Sequence, residues 1–395
     1  MRLLGYLRNI YHWLTWIRYR NLIVLSFFVH VVFISIYNTH PGVDGVIYQG
    51  IADHIYASDD ILACGAFAGA YWPPLFCIYL SIIYKVFGHA EWLFFLLNVF
   101  VAFGSVVFAQ KYLERIFGEL ISRWACLFFF NSMIIFYFTL YYKYELLTLL
   151  LLSLCLLYLL RKEILSIGNI FGAGLFFGLA ILATGRILSL LPGILCFIFL
   201  SCRGFKCKGG KLISIFMLGT VLIILPWSLR NYICLDKFIP VTSNSGLNFY
   251  TGFNENADGG YLHRNQLPQP FDTIERTDNA AFYKGGLEFI AKNPMRSIML
   301  ILKKINLMWR IHYGDSIIFL PFFYLGILLL SRLIPRHRYP QLCLVRILLL
   351  GYTIFHSFYI ARYYYIIPLL PLVYGISISC QHYLAAGLKK RLESD

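Results

Sequence analysis

Residues 74–87 read PLFCIYLSIIYKVF, and the sidedness of the whole chain turns on this segment. A helix that crosses the roughly 30 Å apolar core of a bilayer needs about 20 residues. This run is apolar but stops short of that. If it crossed, every later loop would change sides and all the basic loops would lie outside, against the positive-inside rule. The segment is therefore expected to be a re-entrant or interfacial helix. Re-entrant backbone at membrane depth normally lines a protein cavity.

The rest of the chain sets that choice in context. Of 395 residues, 59% are hydrophobic and 13% charged, whereas a soluble domain is roughly 45–50% apolar and about 25% charged. That balance excludes a soluble enzyme and a disordered protein. Apolar runs near 21–37, 91–110, 124–141, 145–160, 169–184, 187–202, 212–229, 316–331, 345–360 and 363–383 predict about ten transmembrane helices in an all-α polytopic membrane protein. The net charge of +15 would suggest nucleic acid on a soluble protein. Here it sorts by side. The N-terminal arm carries Arg2, Arg8, Arg18 and Arg20, and every second connection is basic, through Arg203 and Lys206, Arg332 and Arg336, to Lys389 and Lys390. The whole excess falls inside, with both termini cytoplasmic, and no nucleic-acid partner is expected. The basic N-terminus lacks a small-residue cleavage site, so the first span is read as a retained anchor.

Two external loops remain, at 38–90 and 230–315, within a single domain over 1–395. The second holds Gly- and Asn-rich turns, SNSGLNFYTGFNENADGGY, and an amphipathic helix expected around 294–313. Long loops in compact proteins are usually functional, so the working face is read as extracytoplasmic. The ten cysteines form no CxxC pair and no Cys/His cluster, so neither a zinc site nor a disulfide framework is expected. No N-x-[ST] sequon occurs, which suits a bacterial inner-membrane protein.

Candidate chemistry gathers at span ends. In HPGVDGVIYQGIADHIY, Asp44, Tyr48 and Ala52 share one helical face. Asp44 reads either as an acid capping the positive end of a helix or as a general base at the membrane surface. Glu145 opens a span in YYKYELLTLLLL, as a site acid or a snorkelling interface residue. External cations are sparse outside the large loop: Lys85, Lys143, Arg186 and Arg362. Guanidinium forks onto phosphate oxygens, so the arginines fit either a lipid-phosphate site or bulk anionic lipid. A transporter or lipid flippase is the competing class, but no repeat is visible and the charges avoid span interiors.

Together these residues resemble the GT-C superfamily of membrane glycosyltransferases. They are most similar to bacterial relatives of dolichyl-phosphate-mannose–protein mannosyltransferases (glycosyltransferase family 39) and of lipid A aminoarabinose transferases. The matching pieces are DGVIYQGIA at 44–52, WPPLFCIYLSIIYKVFG at 72–88, YELLTLLL at 144–151, GLAILATGRILSLLPG at 178–193, PWSLRNYICLDKFIPVTSNSGLN at 226–248 and RYYYIIPLLPLVY at 362–374. The resemblance implies a polyprenyl-phosphate-linked sugar as donor. Its transfer to a lipid, glycan or protein hydroxyl would occur on the external face, by a hexosyl- or pentosyltransferase. It also implies Asp44 as catalytic base, Glu145 as the second acid, and a proline-bearing helix over 73–88. Gly45 stands where many relatives carry a second adjacent acid. On this reading Arg362, Arg230, Lys85 or Arg186 would hold the leaving phosphate. Tyr48, Asn244, Asn248 and Asn254 would contact sugar or acceptor, the asparagines equally readable as turn residues. No cofactor is expected, with a divalent metal left open.

Overall fold

The structure is a computed structural model and describes residues 2–37, 42–58, 64, 65, 67, 70–161, 166–202, 209–275, 278–309, 311–313, 316–318 and 339–392. Apart from one antiparallel hairpin, β1 (Ile311–Tyr313) with β2 (Ser316–Ile318), the described regular structure is helical. Among the described residues, four helices are long and apolar enough to cross a membrane: Arg18–Ile36 within α1 (Arg2–Ile36), α4 (Glu91–Phe117), α10 (Gly209–Leu235), and a segment over Tyr363–Leu384. A fifth candidate is the bent pair α5 (Glu119–Phe130) and α6 (Met133–Thr139), which meet at 53°. The run expected as one span over 124–141 is thus two helices broken at Asn131 and Ser132.

Shorter apolar helices fill the interior: α7 (Glu145–Leu159), α8 (Ile167–Ala183), α9 (Leu191–Ser201) and α14 (Tyr339–Ser357). A 3-10 turn, Gly185–Leu190, leads into α9, and another, Tyr363–Leu369, leads into α15 (Leu370–Leu392). The span expected over 316–331 begins in β2, and beyond 318 it lies outside the described residues. So do the basic connections at 203–208 and 332–338. The protein is an integral membrane protein.

Small residues set the tightest helix pairing. A methyl group built on Gly174 of α8 would fall on the Phe216 carbonyl of α10, and one on Gly219 would lie 2.6 Å from the Phe171 carbonyl. Without a hydrophobic drive between helices in lipid, such close backbone approach is what holds them. Gly118, at φ 92°, lets the chain turn from α4 straight into α5 while its N–H caps the Glu114 carbonyl at 2.8 Å. The main core joins α4, α5, α7, α8, α14 and α15, with fully buried Phe129, Phe130, Leu149, Leu152, Phe177 and Tyr352.

The two loops expected to be external carry their own structure. α2 (Gly42–Ala57) buries Tyr48, Ile51 and Ala52, and α3 (Pro74–Phe87) buries Phe76, Cys77 and Leu80 against it. The segment 74–87 is therefore a helix, started by a proline in its first turn where no amide is needed. The second loop contributes α11 (Ser245–Gly252), α12 (Asn279–Lys292) and α13 (Pro294–Trp309). The expected amphipathic helix is α13, shorter than anticipated because residues 311–313 pair into the hairpin. It exposes Met295, Ile298, Met299 and Leu302 and buries Leu300 and Met308.

One expectation fails outright. A disulfide joins Cys64 of the first loop to Cys234 at the start of the second, with Cα atoms 5.4 Å apart. The partners are 170 residues apart, so no local spacing announces them. Two hydrogen bonds run beside it, Ser243 N–H to the Ala70 carbonyl (3.0 Å) and Asn244 Nδ2 to the Tyr71 carbonyl (2.9 Å).

Candidate active site

The turn before α7 places three consecutive side chains in the site. Lys143 reaches out to α2, where its Nζ lies 3.3 Å from Asp44 Oδ2 and the same distance from the Tyr364 hydroxyl. Glu145 turns inward at the first residue of α7 and is 1% exposed. Its Oε1 meets Arg186 Nη2 at 3.4 Å. Tyr144 packs between, edge-on to Tyr48 with ring centroids 5.8 Å apart.

Arg186 sits on the 3-10 turn ahead of α9. Its Nε donates to Thr184 Oγ1 (3.1 Å), and its guanidinium carbon stands 3.8 Å from the Tyr365 ring centroid. A planar, always charged group stacked on an aromatic face is fixed in direction. Three buried polar atoms here lack a hydrogen-bond partner: Glu145 Oε2, Arg186 Nη1 and His356 Nε2. Buried polar groups are ordinarily paired, so this concentration marks a place where a ligand or water completes the bonding.

Arg186 and His356, with Tyr144 and Tyr365, line a cavity of about 940 Å³, and Glu145 lies behind Arg186. Its lining includes polar Thr184, Arg186, Thr242, Asn244 and Asn248 and apolar Leu188, Pro192, Ile347, Ile354 and Phe358. The apolar members come from the turn into α9, from α9, and from α14 and the residue just beyond it. Both loops that were expected to be external contribute, with Trp72 and Pro73 from the first and Pro240, Thr242, Asn244 and Asn248 from the second. Asp44 stands at the edge, close enough to act electrostatically on Tyr48, Tyr144 and Tyr365, all of which line the cavity.

The expected site residues separate into two groups. Asp44, Tyr48, Glu145, Arg186, Asn244 and Asn248 come together in or beside the cavity. Arg230 is 5% exposed and stacks between Trp227 and Phe67, with its guanidinium carbon 4.7 Å and 5.1 Å from their centroids. Lys85 is exposed at the end of α3. Arg362 lies over Tyr261 at 5.6 Å. Asn254 is spent on its own turn, its amide donating to the Tyr250 carbonyl and its Oδ1 accepting from the Asn256 amide. None of these four lines the cavity.

Sequence reasoning left Lys143 out of the site, although one of few external cations two residues before an acid was a usable signal. His356 gave no signal, being a lone histidine in an apolar helix.

No protein-family profile matches the chain, and no curated protein matches it. Solved structures do. The oligosaccharyltransferase of Archaeoglobus fulgidus with zinc and sulfate shares 15% identity at a TM-score of 0.51, over 93% of this chain and 51% of that one. The same enzyme, AglB, with an inhibitory peptide and a dolichol-phosphate gives 16% and 0.52, over 97% and 52%. ArnT from Cupriavidus metallidurans bound to undecaprenyl phosphate gives 12% and 0.45, over 93% and 77%. The chain spans about half the length of the archaeal enzyme. Over most of its length it therefore shares the fold of the archaeal oligosaccharyltransferase.

Proposed function

We propose that this protein is an inverting glycosyltransferase of the extracytoplasmic membrane face. It takes a sugar from a polyprenyl-phosphate-linked donor and passes it to a hydroxyl of a lipid, glycan or protein. The observation that carries this reading is the cavity itself: apolar side chains suited to an isoprenoid tail line it together with Arg186, and Asp44 stands beside the lining tyrosines Tyr48 and Tyr144.

In the reaction, Asp44 accepts the proton of the acceptor hydroxyl. The hydroxyl oxygen bonds to the anomeric carbon as the carbon–oxygen bond to phosphate breaks. The polyprenyl phosphate leaves with the electron pair, its charge held first by Arg186. Lys85, Arg230 and Arg362 lie outside the cavity lining and take no part in this step. General-base removal of the proton contributes typically 10²–10⁴-fold, and stabilising the leaving phosphate electrostatically contributes at least as much. Glu145 keeps Arg186 aimed, and Lys143 keeps Asp44 on the cavity side of α2. Among the described residues no three His, Cys, Asp or Glu side chains converge, and Lys143 already holds Asp44.

Ten crossings with both termini inside, and 74–87 held at the interface without crossing, complete this reading. The Cys64–Cys234 bond supports the sidedness, because disulfides persist in oxidising compartments outside the cytosol. The deciding experiment replaces Asp44 by Asn and measures transfer from purified lipid donor in membranes. A loss of at least about 100-fold with normal expression is expected, and near-normal turnover would remove the base assignment.

A further inference from the structure

His356 carries a nitrogen that the proposed transfer leaves unused. It lies in the last turn of α14, is 2% exposed, and lines the cavity together with Arg186. Its Nδ1 is 3.0 Å from the Tyr352 carbonyl. A carbonyl only accepts, so Nδ1 holds the proton, and in the neutral ring Nε2 is then a lone-pair acceptor. Nε2 is buried and has no partner.

The complementary orphan neighbours the same ring, that of Tyr365. The guanidinium carbon of Arg186 is 3.8 Å from the Tyr365 centroid, the His356 ring 5.4 Å. Arg186 Nη1, a donor, is likewise buried and unpaired. Beside the same tyrosine the cavity wall thus offers one donor and one acceptor. A group that satisfies both presents an O–H next to a negatively polarised oxygen. The phosphodiester of a lipid-linked sugar has no O–H of its own. A sugar hydroxyl beside the glycosyl phosphate supplies the missing half. An ammonium in that place would face the guanidinium and be repelled.

We propose that His356 is a specificity-determining residue that accepts a hydrogen bond from a donor-sugar hydroxyl while Arg186 Nη1 donates to the adjoining phosphate oxygen. This rests on the glycosyltransferase reading and adds the class of headgroup: a sugar with a free hydroxyl, not an ammonium, beside its phosphate.

The test measures binding of three probes to purified protein in nanodiscs: bare polyprenyl phosphate, polyprenyl-phosphate glucose and polyprenyl-phosphate mannose. His356→Phe is expected to weaken binding of at least one sugar-bearing lipid about tenfold, the worth of one hydrogen bond. It should leave the bare phosphate within about twofold. Equal losses for bare and sugar-bearing lipid, or no loss, overturn the assignment. His356→Gln, which keeps an acceptor, is expected to recover most of the preference. Because a phenylalanine removes an unpaired buried atom, the empty variant should melt no lower than the wild type. If it does not fold, single-deoxy analogues decide on the wild-type protein: one position must cost about tenfold, and a series with no such position overturns the proposal. Failure of the wild type to bind any of the three lipids would instead strike the glycosyltransferase reading, whereas bare phosphate bound as tightly as either sugar-bearing lipid strikes only this inference.

Discussion

Two acid–cation pairs grow from one short turn, and they live in different media. Asp44 and Lys143 sit at the cavity's wet edge, with side chains 44% and 15% exposed. Glu145 and Arg186 sit below it, at 1% and 15%. An ion pair in water contributes about 0–1 kcal/mol. A desolvated one is expensive to form and more expensive to break, because the surviving charge is stranded. The upper pair is thus free to exchange partners with a substrate, whereas the lower pair is scaffolding for one arginine.

That contrast predicts opposite signatures. The largest effect is expected from Asp44→Asn, at least about 100-fold in turnover with an unchanged melting midpoint. A variant that melted early would show that the upper pair is structural after all. Next comes Glu145→Ala, which leaves the Arg186 charge without its partner. A loss of about 3–5 kcal/mol is expected, read as a sharply lower thermal midpoint in detergent, and Glu145→Met with Arg186→Met should recover much of it. Lys143→Gln should cost no more than about 1 kcal/mol of stability while still slowing transfer. Equal stability losses for Lys143→Gln and Glu145→Ala would erase the distinction.

A third charge offers a contrast inside the second loop. Lys304 on α13 is fully buried with no hydrogen-bond partner for Nζ, which stands 3.3 Å from the Phe253 ring centroid. Burial pulls its pKa down to about 7 from the ordinary 10.5. Between those values the unfolded chain binds the proton that the folded chain has released. Its contribution to stability therefore rises with pH from about 7 toward 10.5. Lys304→Met should melt higher than wild type at pH 7, and the gap should close as pH approaches 10. A constant gap would show that the amine keeps its charge inside. The smallest measurement is a mobility shift: non-reduced protein should run faster on a denaturing gel than reduced protein, and Cys64→Ser should abolish the difference.

Of the ten expected spans, those at 21–37, 91–110, 212–229 and 363–383 were legible because apolar length is a one-dimensional property that needs no partner to declare itself. The site was legible where charge is rare, as at Asp44, Glu145 and Arg186. It was opaque where meaning depends on a distant partner. Arg230 has the composition of a phosphate ligand, yet it stacks on Trp227 and Phe67. Cys64 and Cys234 gave no hint of each other, and His356 acquires significance only from the Tyr352 carbonyl that fixes its proton. The break at Asn131 was invisible to hydropathy because both arms of the bend are apolar.

The glycine seam between α8 and α10 has a consequence for mutagenesis. Backbone meets backbone there, and even one methyl group has no room at Gly174, Gly178 or Gly219. Gly351 of α14 lines the cavity and has open space before it. The seam is therefore closed to any larger side chain, whereas a methyl group on Gly351 would narrow the cavity without a clash and give a way to crowd its contents while sparing the helix packing.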